Sequence, residues 1–285
     1  MLTVLAPAKL NLTLEVLAER PDGFHEIRSV IQTINLCDSL RLQLSQSIQF
    51  KCNVPDFIPE ESLSSKAADL LQEATQCAKG ATIEVSKCIP LMSGLGGDSS
   101  DVAAILRGLN KLWRLGLSLP ELLELASQLG SDVAFFLYGG TALVKGRGEI
   151  VTPLPPFPHM WVVLMMPPVS RLPEKTKRLY ASLKPSHYTW GEVTGRLAAL
   201  LTGGGEVAPS SLFNVFDAVA LHSFTGLGEY WQQFLTAGAT DVHLAGSGPA
   251  LFTLVKNKVQ AQKIYDNLQK QGLESYLTET LGGIK

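Results

Sequence analysis

A glycine-rich stretch at residues 89–104, with the sequence IPLMSGLGGDSSDVAA, constrains the fold of this chain more than any other feature. Before it, residues 82–87 alternate Ile83 and Val85 with polar side chains, which predicts a short strand that Pro90 closes. After it, apolar residues recur at the helical period, which predicts a helix from about residue 99 to residue 116. The stretch is therefore predicted to be a turn that leads into a helix.

This predicted turn has the features of an anion-binding loop. Gly94, Gly96 and Gly97 lack a Cβ atom, so their backbone N–H groups can approach an anion closely. The helix start adds unpaired N–H donors and the positive end of the helix dipole, which together favour a phosphate. The alternative from this segment alone is an ordinary turn in which Asp98 or Ser99 caps the helix.

Two common phosphate-binding motifs do not fit this stretch. The P-loop requires a lysine after its glycines, and none follows here. The dinucleotide-binding fingerprint matches Gly94 and Gly96 but meets Ser99 at its third glycine position. A phosphate site at these residues would therefore belong to a different class.

The composition limits the classes of protein to which this chain can belong. A hydrophobic fraction of 46% and a charged fraction of 18% over 285 residues indicate a globular protein with one large or two moderate domains. The net charge of −2 favours a small-molecule partner over nucleic acid or an anionic membrane. The four cysteines lack the spacing of a zinc site or redox pair, which predicts reduced thiols and a cytoplasmic protein without targeting or membrane segments.

Strands and helices are predicted in both halves of the chain. In the first half, strands are predicted at residues 2–5, 9–17, 27–34, 40–44, 82–87 and 139–144, and helices at 62–76, 99–116 and between a capping box at 118–121 and Gly130. In the second half, strands are predicted at 160–166, at two places within 242–255 and at 275–277, and helices at 173–183, 191–201, 210–222, 229–237 and 259–271. A proline-rich connector at 153–158 predicts a boundary between a domain at 1–152 and a domain at 160–285.

Several polar residues allow both a structural and a functional interpretation. Lys9 follows a predicted strand break, where a bulge could aim its ammonium inward, and the alternative is a surface lysine. Asp132 directly follows the end of a helix and is either an N-cap or a positioned base. The turn at residues 20–25 presents Phe24 beside His25, either as ligand contacts or as a core cap next to a surface histidine.

Six segments, in this order, resemble the GHMP small-molecule kinases. They are PAKLNL at residues 7–12, RPDGFHEI at 20–27, GLGGDSSD at 94–101, GSDV at 130–133, GGTA at 139–142 and GSG at 246–248. The resemblance extends over nearly the whole chain. It implies a two-domain α+β fold with the active site in the cleft between the domains.

The resemblance also implies a reaction and its residues. It implies that ATP, with Mg²⁺ bridging its phosphates, phosphorylates an alcohol of a small molecule that carries a cytidine diphosphate group. Asp132 would accept the proton of the hydroxyl, and Lys9 would keep Asp132 ionised and stabilise the transferring charge. The implied ATP-binding residues are Pro90, Leu91, Met92, Ser93, Gly94, Leu95, Gly96, Gly97, Asp98, Ser99 and Ser100, with Ser100 also a candidate Mg²⁺ ligand. The implied substrate-binding residues are Phe24, His25 and Tyr180 at the cytosine and Asn11 at the polyol.

The chain departs from the family pattern at a few positions. Asp98 stands where a third glycine is common, and we expect its side chain to turn outward because a carboxylate would repel phosphate. Phe24 stands where tyrosine is usual, which keeps base stacking and removes a hydroxyl. Residues 213–217 follow the family pattern only loosely, so no role is assigned to them.

Two alternatives remain open, namely a kinase of the same family for a smaller alcohol and a nucleotide-binding protein that lacks turnover. We expect a monomer or weak homodimer, with neither nucleic acid nor a membrane as partner.

Overall fold

The computed structural model describes residues 1–54, 62–170, 174–208 and 211–283. Its internal contacts divide the chain into two compact units, each built from segments that are distant in sequence. Unit 1 comprises Met1–Ala8, Leu36–Pro90 and Gly96–Gly139, and unit 2 comprises Lys9–Asn35, Leu91–Leu95 and Gly140–Lys285. The connector at 153–158 lies within unit 2, and the division into domains at 1–152 and 160–285 stays a prediction.

The described residues form the following elements. The strands are β1 Leu2–Glu19, β2 His25–Ser45, β3 Gln49–Cys52, β4 Gly80–Ser86, β5 Thr141–Gly146, β6 Ile150–Pro153, β7 Trp161–Met165, β8 Phe213–Asn214, β9 His243–Leu244, β10 Leu251–Val255 and β11 Ser275–Glu279. The helices are α1 Leu63–Thr75, α2 Gly97–Trp113, α3 Leu119–Ser127, α4 Val133–Tyr138, α5 Lys175–Ser182, α6 Glu192–Thr202, α7 Asp217–Ser223, α8 Leu227–Thr236 and α9 Lys258–Lys270. Within these residues, no helix is long and apolar enough to cross a membrane.

Unit 1 is organised around helix α2. The C-terminal part of β2 pairs antiparallel with β4, and β3 pairs parallel with β4. Helix α2 contacts α1 and α4, and it buries apolar side chains from Val102 to Trp113. Because this helix starts at Gly97, the packing of unit 1 fixes the position of the helix start.

Unit 2 contains an antiparallel sheet in the order β11, β7, β10, β9. Helix α9 contacts β7 and β11, and buried aromatic side chains such as Phe216, Phe224 and Phe234 belong to the core of this unit. In the same unit, β5 pairs with the N-terminal part of β2 and with β6, and β8 runs parallel to β1 at Thr13 and Leu14. This packing positions the N-terminal segment of unit 2, which begins at Lys9.

The element types are mostly as predicted, with corrections at three places. The predicted break at Pro7 is wrong: β1 continues from Leu2 to Glu19, because proline removes one N–H donor but its φ angle suits an extended chain. The predicted strands at 27–34 and 40–44 form one strand, β2, because the buried carboxylate of Asp38 accepts hydrogen bonds from the backbone of Cys88 and Ile89, outside the strand. The helix predicted at 210–222 begins at Asp217 and is preceded by β8.

Candidate active site

The first part of the glycine-rich stretch, Leu91–Leu95, lies in unit 2 beside the turn at residues 246–248. Gly94 has a φ angle of 91°, and a Cβ atom on it would lie 3.0 Å from the backbone nitrogen of Gly248. The backbone of Lys9 donates a hydrogen bond to the carbonyl of Leu95 at 2.9 Å, which attaches the loop to β1. Gly94 must therefore be glycine for both its conformation and its close contact.

Lys9 is buried within this arrangement, with 6% of its surface exposed. Its Nζ atom donates to Oδ1 of Asn11 at 2.5 Å, and Nδ2 of Asn11 donates to Oγ of Ser29 at 2.8 Å. A Cβ atom on Gly246 would lie 3.1 Å from Lys9 Nζ and 3.0 Å from the carbonyl of Gly94. Of the two alternatives for Lys9, the inward orientation is confirmed and the surface lysine is wrong, and the ammonium lies next to the two glycine-containing turns.

A second lysine contacts the same two turns. Lys175, the first residue of α5, donates from Nζ to the carbonyl of Gly248 at 2.6 Å and to the carbonyl of Met92. Next to it, the hydroxyl oxygens of Thr176 and Ser247 lie 2.9 Å apart. Two ammonium groups and two glycine-containing turns thus meet in unit 2, which suits an anionic ligand. Sequence reasoning missed Lys175 because it lies far from the glycine-rich stretch in sequence.

The aromatic residues predicted to hold a base also lie in unit 2. The ring of His25 stacks on that of Tyr180, with centroids 4.8 Å apart and planes at 28°. Phe24 is 53% exposed, so the alternative in which it caps the core is wrong. The guanidinium carbon of Arg147 lies 4.8 Å from the centroid of the Phe24 ring, a cation–π contact that the sequence did not indicate. The site therefore presents exposed and half-buried rings at which a planar base can stack.

A buried asparagine fixes the turn at residues 246–248. Nδ2 of Asn214 donates to the carbonyls of Leu244 and Gly246, at 3.1 and 2.9 Å, and its Oδ1 accepts from the backbone of Phe216. Just beyond it, Asp217 accepts hydrogen bonds from His243 and from the backbone of Leu244, while burial raises the pKa of the Asp217 carboxyl. The loosely matching segment 213–217 thus positions the glycine turn, a role that sequence reasoning had not assigned.

The second part of the glycine-rich stretch forms the start of α2 in unit 1. The N-cap is Gly96, with a φ angle of 76°, so the alternative in which Asp98 or Ser99 caps the helix is wrong. The Asp98 side chain is 75% exposed, in agreement with its predicted outward orientation. The helix therefore begins with glycines, which leaves its first N–H groups accessible to an anion without a capping side chain in front of them.

Ser100 does not have the environment of a ligand residue. It is fully buried, and its hydroxyl donates to the carbonyl of Pro7 at 2.7 Å. This hydrogen bond attaches the first turn of α2 to β1 within unit 1. The geometry therefore argues against the predicted contact of Ser100 with Mg²⁺.

Asp132 lies at the N-cap position of α4, also in unit 1. Its φ and ψ angles are −78° and −15°, and its carboxylate makes no capping hydrogen bond to any described N–H group of that helix. Asp132 thus occupies the N-cap position of α4 without a side-chain capping hydrogen bond. Lys9 and Asp132 belong to different units, and their action as a catalytic pair stays a prediction.

The described residues do not provide a preformed metal centre. Among them, no group of three or more His, Cys, Asp or Glu side chains is arranged to hold a metal ion. Phosphate oxygens are themselves good ligands for Mg²⁺, so the ion can enter with a nucleotide without a protein cage.

The comparisons with known proteins identify the family. The model of the GHMP kinases N terminal domain matches residues 62–140, and that of the GHMP kinases C terminal domain matches residues 195–273. A mevalonate kinase from L. major shares the fold, with a TM-score of 0.75 at 16% identity over 100% of this chain and 97% of that one. Together with the relatives described next, these matches show that the chain belongs to the GHMP kinases, and it is a small-molecule kinase of α+β fold.

Its relatives with high identity have one name. A protein from Dehalococcoides mccartyi is 49% identical over 282 residues, 99% of both chains, and one from Geobacillus thermodenitrificans is 41% identical, over 94% of this chain and 93% of the relative. Both are named 4-diphosphocytidyl-2-C-methyl-D-erythritol kinase. A crystal structure of 4-(cytidine 5'-diphospho)-2C-methyl-D-erythritol kinase is 31% identical, has a TM-score of 0.83 and covers 99% of this chain and 100% of that one.

Proposed function

We propose that this chain transfers the γ-phosphate of ATP to the 2-hydroxyl of 4-diphosphocytidyl-2-C-methyl-D-erythritol, giving the 2-phosphate and ADP in isoprenoid precursor biosynthesis. The name shared by the near-full-length relatives supports the substrate. The observation that carries the proposal in this chain is the stacking of His25, in the turn at residues 20–25, on Tyr180, where the cytosine is proposed to bind. A kinase for a small alcohol such as homoserine or mevalonate has no base to stack on these rings.

The catalytic roles follow from the chemistry of phosphoryl transfer, in which positioning and charge neutralisation are the main tasks. We assign Asp132 as the base that accepts the proton of the 2-hydroxyl. Lys9 neutralises charge on the transferring phosphoryl group. The support for Lys9 is its burial and its hydrogen bond to Asn11, which hold the ammonium beside Gly94 and Gly246.

ATP is assigned to the glycine-rich stretch from Pro90 to Ser100. Two features support this assignment, namely the positive φ angles of Gly94 and Gly96 and the glycine N-cap of α2. Backbone N–H groups supply the phosphate contacts in this proposal, and the buried hydroxyl of Ser100 supplies none. Mg²⁺ is proposed to enter with the nucleotide, and its chemistry is the neutralisation of phosphate charge.

The cytidine end of the substrate is assigned to Phe24, His25 and Tyr180, and the polyol to Asn11. Asn11 contacts Lys9 directly, which supports a position of the reacting polyol near that ammonium. A reducing cytoplasm is the proposed location, because the thiols in the described part of the chain are all free.

The product of the reaction tests this proposal. Purified protein with Mg-ATP and the cytidine substrate is expected to release ADP and form a phosphate monoester, which phosphorus and proton NMR would place on the 2-oxygen. Formation of an ester at another hydroxyl, or no turnover, would overturn it. Turnover with homoserine or mevalonate alone would favour the other kinases of this fold.

A further inference from the structure

An ammonium and two carboxylates are buried together in unit 1, beside the first turn of α2. Nζ of Lys87 lies 2.7 Å from Oδ2 of Asp38 and 2.7 Å from Oδ2 of Asp101, and all three side chains are at most 5% exposed. Burial of charges is costly, and a buried ion pair often stabilises a fold no better than apolar side chains would. The arrangement therefore indicates a role beyond stability.

The same ammonium faces a third carboxylate on its exposed side. Oδ1 of Asp98 lies 3.5 Å from Lys87 Nζ, and Asp98 and Asp101 are three residues apart on α2, so they project from one face of the helix. Lys87 thus serves as counter-ion to both acidic residues at this helix start. Without it, their negative charge would oppose the positive end of the helix dipole and repel a phosphate.

The cluster of Lys87, Asp38 and Asp101 also contacts the backbone at two places along the glycine-rich stretch. Oδ1 of Asp38 accepts backbone hydrogen bonds from Cys88 at 2.6 Å and Ile89 at 2.8 Å, where the stretch begins. Further along the stretch, a Cβ atom on Gly97 would lie 3.3 Å from Lys87 Nζ, so the ammonium packs closely on the helix start.

We propose that Lys87 is a positioning residue for ATP. It holds the segment before Pro90 and the first turn of α2 in place, and it neutralises Asp98 and Asp101 so that the helix start can accept phosphate. The proposal deepens the proposed function, because it rests on ATP binding at this helix start.

The test compares Lys87→Met with the double variant Lys87→Met/Asp101→Asn. The measurement is the equilibrium dissociation constant of Mg-ATP without acceptor, followed by the Michaelis constants of both substrates. Lys87→Met is expected to weaken ATP binding by about tenfold, because it leaves buried carboxylates uncompensated, and to leave the Michaelis constant of the cytidine substrate unchanged. The double variant is expected to recover part of that loss, because it removes the Asp101 carboxylate at the helix start while Asp38 still lacks its counter-ion. A merely structural role of Lys87 would not produce this recovery.

Further variants keep the test decisive. Lys51→Met is the matched control, because Lys51 forms an exposed ion pair with Glu84 at 3.3 Å, and we expect it to leave ATP binding unchanged.

If Lys87→Met does not fold, Asp101→Asn keeps the ammonium and is expected to tighten ATP binding by about twofold. Wild-type ATP affinity in a folded Lys87→Met, failure of the double variant to recover, or weaker binding by Asp101→Asn would each overturn the proposal. ATP binding is measured without acceptor, so a wrong acceptor assignment leaves this test intact.

Discussion

Lys9 carries its charge where water is largely excluded. At 6% exposure its ammonium lies in a medium of lower effective dielectric constant than water, so the interaction proposed for it with a phosphate is stronger than one that a surface lysine would make. The hydrogen bonds from Lys9 to Asn11 and from Asn11 to Ser29 fix the direction of the ammonium before any ligand arrives. Such preorganisation is the main protein contribution to the stabilisation of transferring charge.

The role of Asp132 is testable by removal of its carboxylate. Asp132→Ala is expected to lower kcat by about 10²- to 10⁴-fold, because the substrate hydroxyl loses its proton acceptor. ATP binding is expected to change little. Steady-state kinetics and an equilibrium titration with ATP measure the two effects, and loss of ATP binding with normal turnover would contradict the assignment.

The role of His25 is testable by comparing the Michaelis constants of the cytidine substrate and of ATP. His25→Ala removes the ring that stacks on Tyr180, and we expect the Michaelis constant of the cytidine substrate to rise by about tenfold, within the range for loss of one base-stacking partner. His159→Ala is the matched control, because His159 contacts Glu279 on the surface. A selective rise in the Michaelis constant of ATP would show that the turn at 20–25 was assigned to the wrong ligand.

At the scale of single elements, the start of α2 combines opposing requirements. A glycine N-cap leaves the first N–H groups of the helix accessible, while Asp98 and Asp101 place negative charge close to them. Burial raises the pKa of the Asp101 carboxyl to about 7, with Lys87 opposing this shift and Asp38 and Asp98 adding to it. The charge that Asp101 contributes at the helix start is therefore expected to depend on pH.

This pKa predicts how the stability of the fold depends on pH. The ordinary pKa of an aspartate is 3.8, so between about pH 4 and pH 7 the folded state binds more protons at Asp101 than the unfolded state does. The stabilising contribution of the protonated carboxyl is therefore present at low pH and lost as the pH rises through 7. In urea unfolding, the wild type is expected to lose more free energy of unfolding between pH 5 and pH 8 than Asp101→Asn does, by on the order of 1 kcal/mol or more. Parallel pH profiles for the two proteins would contradict this pKa.

The periodicity of apolar residues predicted most elements. It failed where a buried polar group forms hydrogen bonds with residues that are distant in sequence. The strand before the glycine-rich stretch and the helix after it follow from apolar periodicity, so both were found. The break predicted in β2 was wrong because Asp38 accepts hydrogen bonds from Cys88 and Ile89, which are distant in sequence. Lys87 is the last residue of the strand predicted at 82–87, and no local pattern indicated the buried ion cluster that it forms with Asp38 and Asp101.

At the scale of the whole molecule, each of the two units is built from segments that are distant in sequence. The periodicity of apolar residues carries no information on contacts between such segments. The candidate site in unit 2 brings Lys9, Gly94 and Gly246 together from separate parts of the chain. These residues were identified in advance through a family resemblance, whereas Lys175, Asn214 and Arg147 lie outside the matching motifs. Their contacts with the glycine turns and with Phe24 became visible only in three dimensions.

The central claim is that this kinase recognises an acceptor through its cytidine. ADP release with Mg-ATP should therefore be measured with 4-diphosphocytidyl-2-C-methyl-D-erythritol, with the same polyol lacking the cytidine, and with homoserine. Turnover is expected with the first acceptor only. Turnover with a small alcohol instead would keep the kinase and its assigned residues Lys9 and Asp132, but it would contradict the assignment of Phe24, His25 and Tyr180 to a base.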